Sequence, residues 1–307
     1  MTKNNTQAKG VVMLLLTAVI WGSGFVAQSV GMESVQAFTF TGCRMLIGCI
    51  VLLPFILFRD AQAKKKGNMA KSEPLFNREA LISGLILGAV FFAAQNFQQQ
   101  SFAYSTAGKI AFITALYMFF VPILGLFIKK RVPWLTWICV LFAFVGLWFI
   151  SINPEDITAI NKGDLLALCC SLCFAVQILL LERYTQTVDS VKLSFLQFGV
   201  AGALSFIAMA IFEHPSVSAI LSAAVPILYA GVFSTGIAYT LQAVGQKYTE
   251  ATIASLLMCM ESVFAVIFAA IFLHEQLTSR EAIGCAIMFA AIIVSQFSES
   301  VSSRKKA

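Results

Sequence analysis

Apolar residues run through this chain in blocks of eighteen or more, separated by short polar stretches. Ten such blocks stand out, at about 11–30, 37–58, 80–100, 107–128, 133–152, 163–181, 193–212, 219–243, 251–273 and 281–297. Roughly 20 apolar residues in a helix cross about 30 Å of hydrocarbon. The pattern therefore predicts an all-α integral membrane protein with ten transmembrane helices. The predicted breaks are short, except for a basic polar loop at 59–79 and a segment at 153–162 containing Asn153-Pro154-Glu155-Asp156. The second lies at the midpoint of the chain.

The order of blocks repeats. Residues 80–151 shifted by 144 lie on 224–295 without a gap. Ala94 then meets Ala238, Gln98 meets Gln242, Tyr104 meets Tyr248, Ala107 meets Ala251, Phe120 meets Phe264 and Ser151 meets Ser295. A shift of 153 puts Lys9-Gly10 on Lys162-Gly163 and Trp21 on Phe174. The chain reads as two five-helix repeats, 9–152 and 162–297, followed by a tail at 298–307. An odd helix number forces the two copies to enter the membrane from opposite sides. Such an inverted repeat suits alternating access around a midplane site.

Charge sets the expected orientation. Net charge is +6, yet only 12% of 307 residues are charged while 59% are hydrophobic, and mean hydropathy is +0.85. A water-facing surface needs about twice that charged fraction. With the N-terminus inside, Lys3 and Lys9, Arg59, Lys64, Lys65, Lys66, Lys71 and Arg78, Lys129, Lys130 and Arg131, Arg183 and Lys192, Lys247, and Arg304, Lys305 and Lys306 all fall on one side. Only Lys162 and Arg280 fall outside. The asymmetry predicts cytoplasmic N- and C-termini. It also argues against a nucleic-acid surface, because the basic residues sit in loops along a bilayer rather than on one solvated face. The Lys64-Lys65-Lys66 cluster meets anionic lipid. The first block is longer than a secretory h-region and no small-residue cleavage site closes it, so it reads as helix 1.

Eight cysteines, Cys43, Cys49, Cys139, Cys169, Cys170, Cys173, Cys259 and Cys285, all lie in apolar blocks. Cys170-x-x-Cys173 has redox or metal spacing, but no second pair or nearby His completes a site. Packing thiols are expected, with no metal and no cofactor.

The residues Ala18-Val19-Ile20-Trp21-Gly22-Ser23, Arg44, Tyr104-Ser105-Thr106-Ala107, Val121-Pro122-Ile123-Leu124-Gly125 and Leu273-His274-Glu275-Gln276-Leu277-Thr278 form a combination that resembles the drug/metabolite transporter superfamily, specifically its ten-helix EamA branch. That branch includes exporters of amino acids and other metabolites, and the likeness covers about 9–297. The resemblance implies export or exchange driven by ion or substrate gradients without ATP, in the cell membrane. Lys129-Lys130-Arg131 departs from it, standing where the family often carries an acidic residue such as Glu275.

Candidate chemistry lies where polarity is costly. Ionisable residues within a bilayer are expensive and functional by default. Arg44 sits in predicted helix 2 and can bind a carboxylate through its fork, or hold the helix or a gate. Lys109 lies near the outer start of helix 4, to attract anions or snorkel. Glu261, mid-way along helix 9, can exchange a proton, pair with a cationic ligand group or bond a neighbouring helix. The 144-residue shift sets it opposite Tyr117. Gln95, Gln98 and Gln99 share one helical face. Gln242 repeats Gln98, Tyr239 repeats Gln95, and Gln177 adds an amide in helix 6. These line a cavity or bond helices together, while Trp21 and Tyr117 offer flat walls.

The expectation is a secondary active transporter of small metabolites such as amino acids, acting as a monomer with membrane lipid around it and a possible coupling proton. A passive channel and an intramembrane enzyme are the alternatives. The enzyme lacks its groups, since the two histidines, His214 and His274, fall at helix ends.

Overall fold

A computed structural model describes residues 3–65, 75–130, 132–151, 161–272 and 278–304. Lys66, Lys71, Arg131, the 153–156 segment, 273–277 with His274 and Glu275, and Lys305 and Lys306 lie outside them. Among the described residues every regular element is a helix. Nine are long and apolar enough to cross a membrane: Thr6–Met32, Ala37–Lys65, Arg78–Ser101, Ala107–Phe127, Trp134–Ser151, Lys162–Tyr184, Ser190–Phe212, Ala224–Gln246 and Ala251–Phe268. The chain is a multi-pass membrane protein.

The first three crossings are single helices: α1 (Lys3–Met32), α2 (Ala37–Lys65) and α3 (Arg78–Ser101). The fourth is broken into α4 (Ala107–Thr114) and α5 (Tyr117–Phe127), and the fifth is α6 (Trp134–Ser151). Then follow α7 (Lys162–Tyr184), α8 (Ser190–Phe212) and the short α9 (Val217–Ser222). The next crossing starts as α10 (Ala224–Tyr229), widens into a π-helical stretch over Ala230–Tyr239, and returns as α11 (Thr240–Gln246). Last come α12 (Ala251–Met258), α13 (Glu261–Phe272) and α14 (Ser279–Arg304).

Four differences from the sequence pattern have physical causes. Helix α2 runs through Pro54 to Lys65, so Arg59 and Lys64 ride on a helix rather than in the expected 59–79 loop. The spans expected as continuous at 107–128 and 251–273 are each interrupted. The expected 219–243 span divides into α9 and a crossing that carries the π stretch. Lys192, expected in a loop, lies in the first turn of α8 and is buried.

Helix starts are set by capping side chains. Asn77 accepts from the Ala80 amide at 2.7 Å. Asn161 and Asp164 form a reciprocal capping box on α7. Asp189 accepts from the Val191 and Lys192 amides. Helix α5 closes with Lys129 at φ 61°, where the Lys130 amide donates back to the Gly125 carbonyl at 2.9 Å.

Helix α2 lies along α8, α3 against α7 and α8, and α14 along α6. At Gly146 and Gly284 the last pair come so close that a Cβ on either would stand 2.7 or 2.6 Å from the other's carbonyl oxygen. Small residues permit such approach where lipid supplies no hydrophobic drive between helices. The ends of α2 and α8 exchange partners. At one end Arg59 pairs with Asp189 and Lys192 with Asp60, each at 2.7 Å. At the other, the buried Glu213 carboxylate accepts from the Phe38 amide at 2.8 Å and from the Thr39 amide and hydroxyl at 2.7 Å.

Glu213 thus caps α2 from another helix. Glu213→Ala should lower unfolding stability by about 1–2 kcal/mol, with Glu213→Gln losing less because its carbonyl still accepts. Thermal melts of the purified protein in detergent check both.

Candidate functional site

Helices in an apolar slab must keep their backbone groups paired, so the two interruptions need local solutions. Both use the same one. The Leu116 amide donates to Ile113 at 3.2 Å and the Met118 amide to Ala115 at 3.1 Å. The Met260 amide donates to Leu257 at 3.2 Å and the Ser262 amide to Cys259 at 3.3 Å. Each pair of positions is related by the shift of 144 residues. The two breaks also touch, since the Cys259 thiol donates to the Ala115 carbonyl at 3.6 Å. Half-helix α5 therefore opens on Tyr117 and α13 on Glu261, each about 15 Å along its crossing at 1.5 Å per residue. The positive end of the α13 dipole lies at the Glu261 carboxyl.

Beside these breaks is a narrow cavity of about 30 Å³, enough for one or two waters. Trp21, Gln98, Tyr117, Tyr239, Gln242 and Glu261 line it, as do Phe25, Gln28, Thr114, Phe174, Ile178, Ser234 and Met258. A larger crevice of about 560 Å³ continues from it between α1, α4, α10 and α13, sharing Phe25 and Glu261. Its walls are mostly apolar, including Val26, Val30, Ala111, Val225 and Phe268, with Ser23 and Tyr229 bonded to each other at 2.5 Å. Glu261 is the one formally charged residue lining either space among the described residues. It is 4% exposed, and no hydrogen-bond or ion-pair partner for it is found among them.

The other candidates divide into walls and braces. Trp21 lies 4.5 Å from Tyr239, centroid to centroid. Gln95 donates to the Tyr239 hydroxyl, so the two residues matched by the repeat touch each other. Gln99 donates to the Gln28 carbonyl at 3.1 Å. Gln242 donates to Gln177 at 3.3 Å, and Gln177 to Gln197 at 3.2 Å. Gln95, Gln99 and Gln177 therefore stand behind the wall rather than in it. Buried acceptors remain unpartnered around the cavity among the described residues, at Gln95 Oε1, Gln99 Oε1 and Gln242 Oε1, as does the donor Trp21 Nε1.

Two charged candidates lie off the cavity. Lys109 pairs with Asp164 at 2.6 Å, tying α4 to the start of α7. Arg44 is 1% exposed, donates to Gln28 Oε1 at 3.3 Å and sits 5.7 Å over the Phe40 ring. Gln28 and Ser234 went unnoticed in the sequence. Gln28 is an isolated amide in an apolar block, and that isolation was the available signal; Ser234 faces inward through the π stretch, which the sequence pattern does not reveal. The eight cysteines are free thiols.

A family model described as the EamA-like transporter family matches residues 8–152 and again 161–297. A protein of Archaeoglobus fulgidus, named an uncharacterized transporter, is 29% identical over 282 residues, covering 92% of this chain and 83% of its own. The uncharacterized transporter YoaV of Bacillus subtilis is 23% identical over 297 residues, covering 95% and 98%. A solved structure described as a crystal structure of protein aligns with TM-score 0.75 over 98% of this chain and 99% of that one, at 17% identity. That likeness concerns the fold alone.

Gly22 brings α1 onto the break, because a Cβ there would stand 2.7 Å from the Glu261 carbonyl oxygen. Gly22→Ala should cost about 1–3 kcal/mol by forcing the backbones apart. Gly24→Ala, whose nearest neighbour would be 3.9 Å away, should be neutral. Paired thermal melts distinguish them.

Proposed function

The chain belongs to the EamA-like transporter family, and on that premise we propose that it is a secondary active exporter or exchanger of small metabolites such as amino acids. The proposed carrier has ten crossings, α14 being the tenth, in two inverted five-helix repeats, 9–152 and 162–297. Residues 298–307 form its tail, and both termini are cytoplasmic. It works as a monomer in the plasma membrane, and alternating access takes place around the cavity at Glu261.

One observation carries this reading: residues 144 positions apart meet on or just behind the cavity wall. Gln95 bonds Tyr239, the Ala115 carbonyl accepts from Cys259, and Tyr117 and Glu261 open the two half-helices on one cavity. A residue touches its own counterpart only on the axis relating two halves. A site on that axis, built from interrupted helices, is where exchanging the conformations of the halves reverses the side of opening. Glu261 is the charge available for coupling, binding a proton in one half of the cycle and releasing it in the other.

In liposomes, the protein should accumulate at least one of a panel of labelled amino acids and metabolites saturably under a pH gradient, and show counterflow. Glu261→Gln should lose gradient-driven accumulation tenfold or more while keeping counterflow. Uptake that ignores the gradient in both proteins removes the proton and Glu261 from the mechanism. Linear, unsaturable flux without counterflow makes the protein a channel.

A further inference from the structure

The first helix of each repeat crosses the other repeat at a glycine. A Cβ at Gly10 of α1 would stand 2.9 Å from the Gly245 carbonyl oxygen and 2.6 Å from Thr249 Oγ1. A Cβ at Gly163 of α7 would stand 2.9 Å from both the Ser101 carbonyl oxygen and the Ser105 Cβ. Gly10 and Gly163 are 153 positions apart, and Gly245 and Thr249 follow Ser101 and Ser105 by 144. The same close crossing is therefore made twice, near the start of α1 and near the start of α7. Beside the second, Lys109 pairs with Asp164 at 2.6 Å and holds the start of α7 in place.

Beyond these crossings the halves differ. The far part of α1 borders the crevice of about 560 Å³, where Val26 is 59% and Val30 46% exposed. The crevice residues Phe25, Ala107, Ala111, Glu261, Ser262 and Ala265 have Ile178, Ala251, Ser255, Tyr117, Met118 and Val121 as their counterparts in the repeat. All six counterparts are 3% exposed or less, so the equivalent space beside the far part of α7 is packed shut. An ion pair closes it: Lys130, just past the end of α5, meets Glu182 near the end of α7. The matching positions are His274 and Ser29, so the sequence provides this pair in one half only. Both side chains are partly exposed, and such pairs are weak enough to break and re-form.

Contacts that both halves share can persist when the halves exchange conformations, while contacts made by one half alone must be exchanged. We propose that α7 is a gating arm, hinged where Gly163 crosses Ser101 and Ser105 and latched at its far end by Lys130 and Glu182. Releasing the latch opens a second crevice beside Tyr117 as the first closes beside Glu261. This rests on the transport reading above.

The test is the alkylation rate of introduced thiols in the full-length protein in liposomes. N-ethylmaleimide is the probe, and peptide mass spectrometry reads each position apart from the native cysteines. Ala111→Cys stands at the open crevice, and Ser255→Cys, its counterpart, in the closed one. With the latch intact, Ala111→Cys should react tenfold or more faster. Adding Glu182→Ala should speed Ser255→Cys at least fivefold and slow Ala111→Cys by a similar factor. Ala167→Cys, buried about one turn from the hinge, should stay protected throughout. Lys130→Ala should act as Glu182→Ala does, and covers the case in which the latter does not fold. Exchanging the charges, Lys130→Glu with Glu182→Lys, should restore the starting rates. Unchanged rates, or a faster Ser255→Cys without a slower Ala111→Cys, overturn the latch. Rapid alkylation of Ala167→Cys overturns the hinge. Counterflow of the labelled metabolite panel in the same vesicles separates the two readings. Counterflow beside unchanged rates leaves the carrier standing without the latch, and reciprocal rates without counterflow keep the latch and overturn the carrier.

Discussion

A helix interrupted inside hydrocarbon frees backbone groups that water cannot satisfy, and the arrangement at the centre of this protein follows from how two such interruptions are resolved. The breaks at Ala115-Leu116 and Cys259-Met260 tighten into i+3 turns and share one thiol–carbonyl contact. Pairing them with each other locks α4–α5 to α12–α13 at mid-crossing. It also fixes what comes next in the chain on each side, so Tyr117 and Glu261 open half-helices onto common ground. Gly22 then lets α1 close over the Glu261 turn at backbone distance.

The surrounding polarity is mostly carried by neutral amides. An amide both donates and accepts, so Gln242, Gln177 and Gln197 can form a chain across three helices without any charge. Gln95 and Gln99 do similar work toward Tyr239 and Gln28. Hydrogen bonds of this kind in membranes are individually modest, about 0.6 kcal/mol on average, and can change partners at small cost. A carrier needs walls with that property. The full charges are fewer and are placed differently: Glu261 on the cavity, Arg44 one side chain behind it.

Much of this was legible along the chain, for identifiable reasons. The spans are long apolar runs, and their positions survive any shift of a residue or two. Glu261 was visible because a carboxylate has no packing reason to lie mid-span. The stripe Gln95, Gln98 and Gln99 was visible as a stripe, but not its division. Residues three and four apart fan over part of a helix surface, so Gln98 reaches the cavity while Gln95 bonds Tyr239 of the π stretch and Gln99 bonds Gln28 of α1. The breaks were hidden because neither Ala115-Leu116 nor Cys259-Met260 contains the proline or glycine that usually marks one. Pro54, which does carry the mark, interrupts nothing; α2 continues through it to Lys65.

The ends of the bundle complete the physical picture. Asp60 and Glu213 are 153 positions apart, as are Thr39 and Lys192, so the two contacts between α2 and α8 occupy equivalent places in the repeat. Their chemistry is not equivalent. Asp60 meets the Lys192 ammonium, an ion pair reinforced by Arg59 and Asp189, whereas Glu213 meets two amides and a hydroxyl. The Arg59–Asp189 pair, partly exposed on both sides, is of the kind that salt weakens and that contributes about 0–1 kcal/mol. A buried carboxylate with three neutral donors is insensitive to salt, because its partners carry no net charge. In the proposed cycle the two ends must loosen in turn, and this difference makes the loosening of one end, but not the other, depend on ionic strength. A scaffold built on repeated positions thus carries a chemical inequality between its two ends.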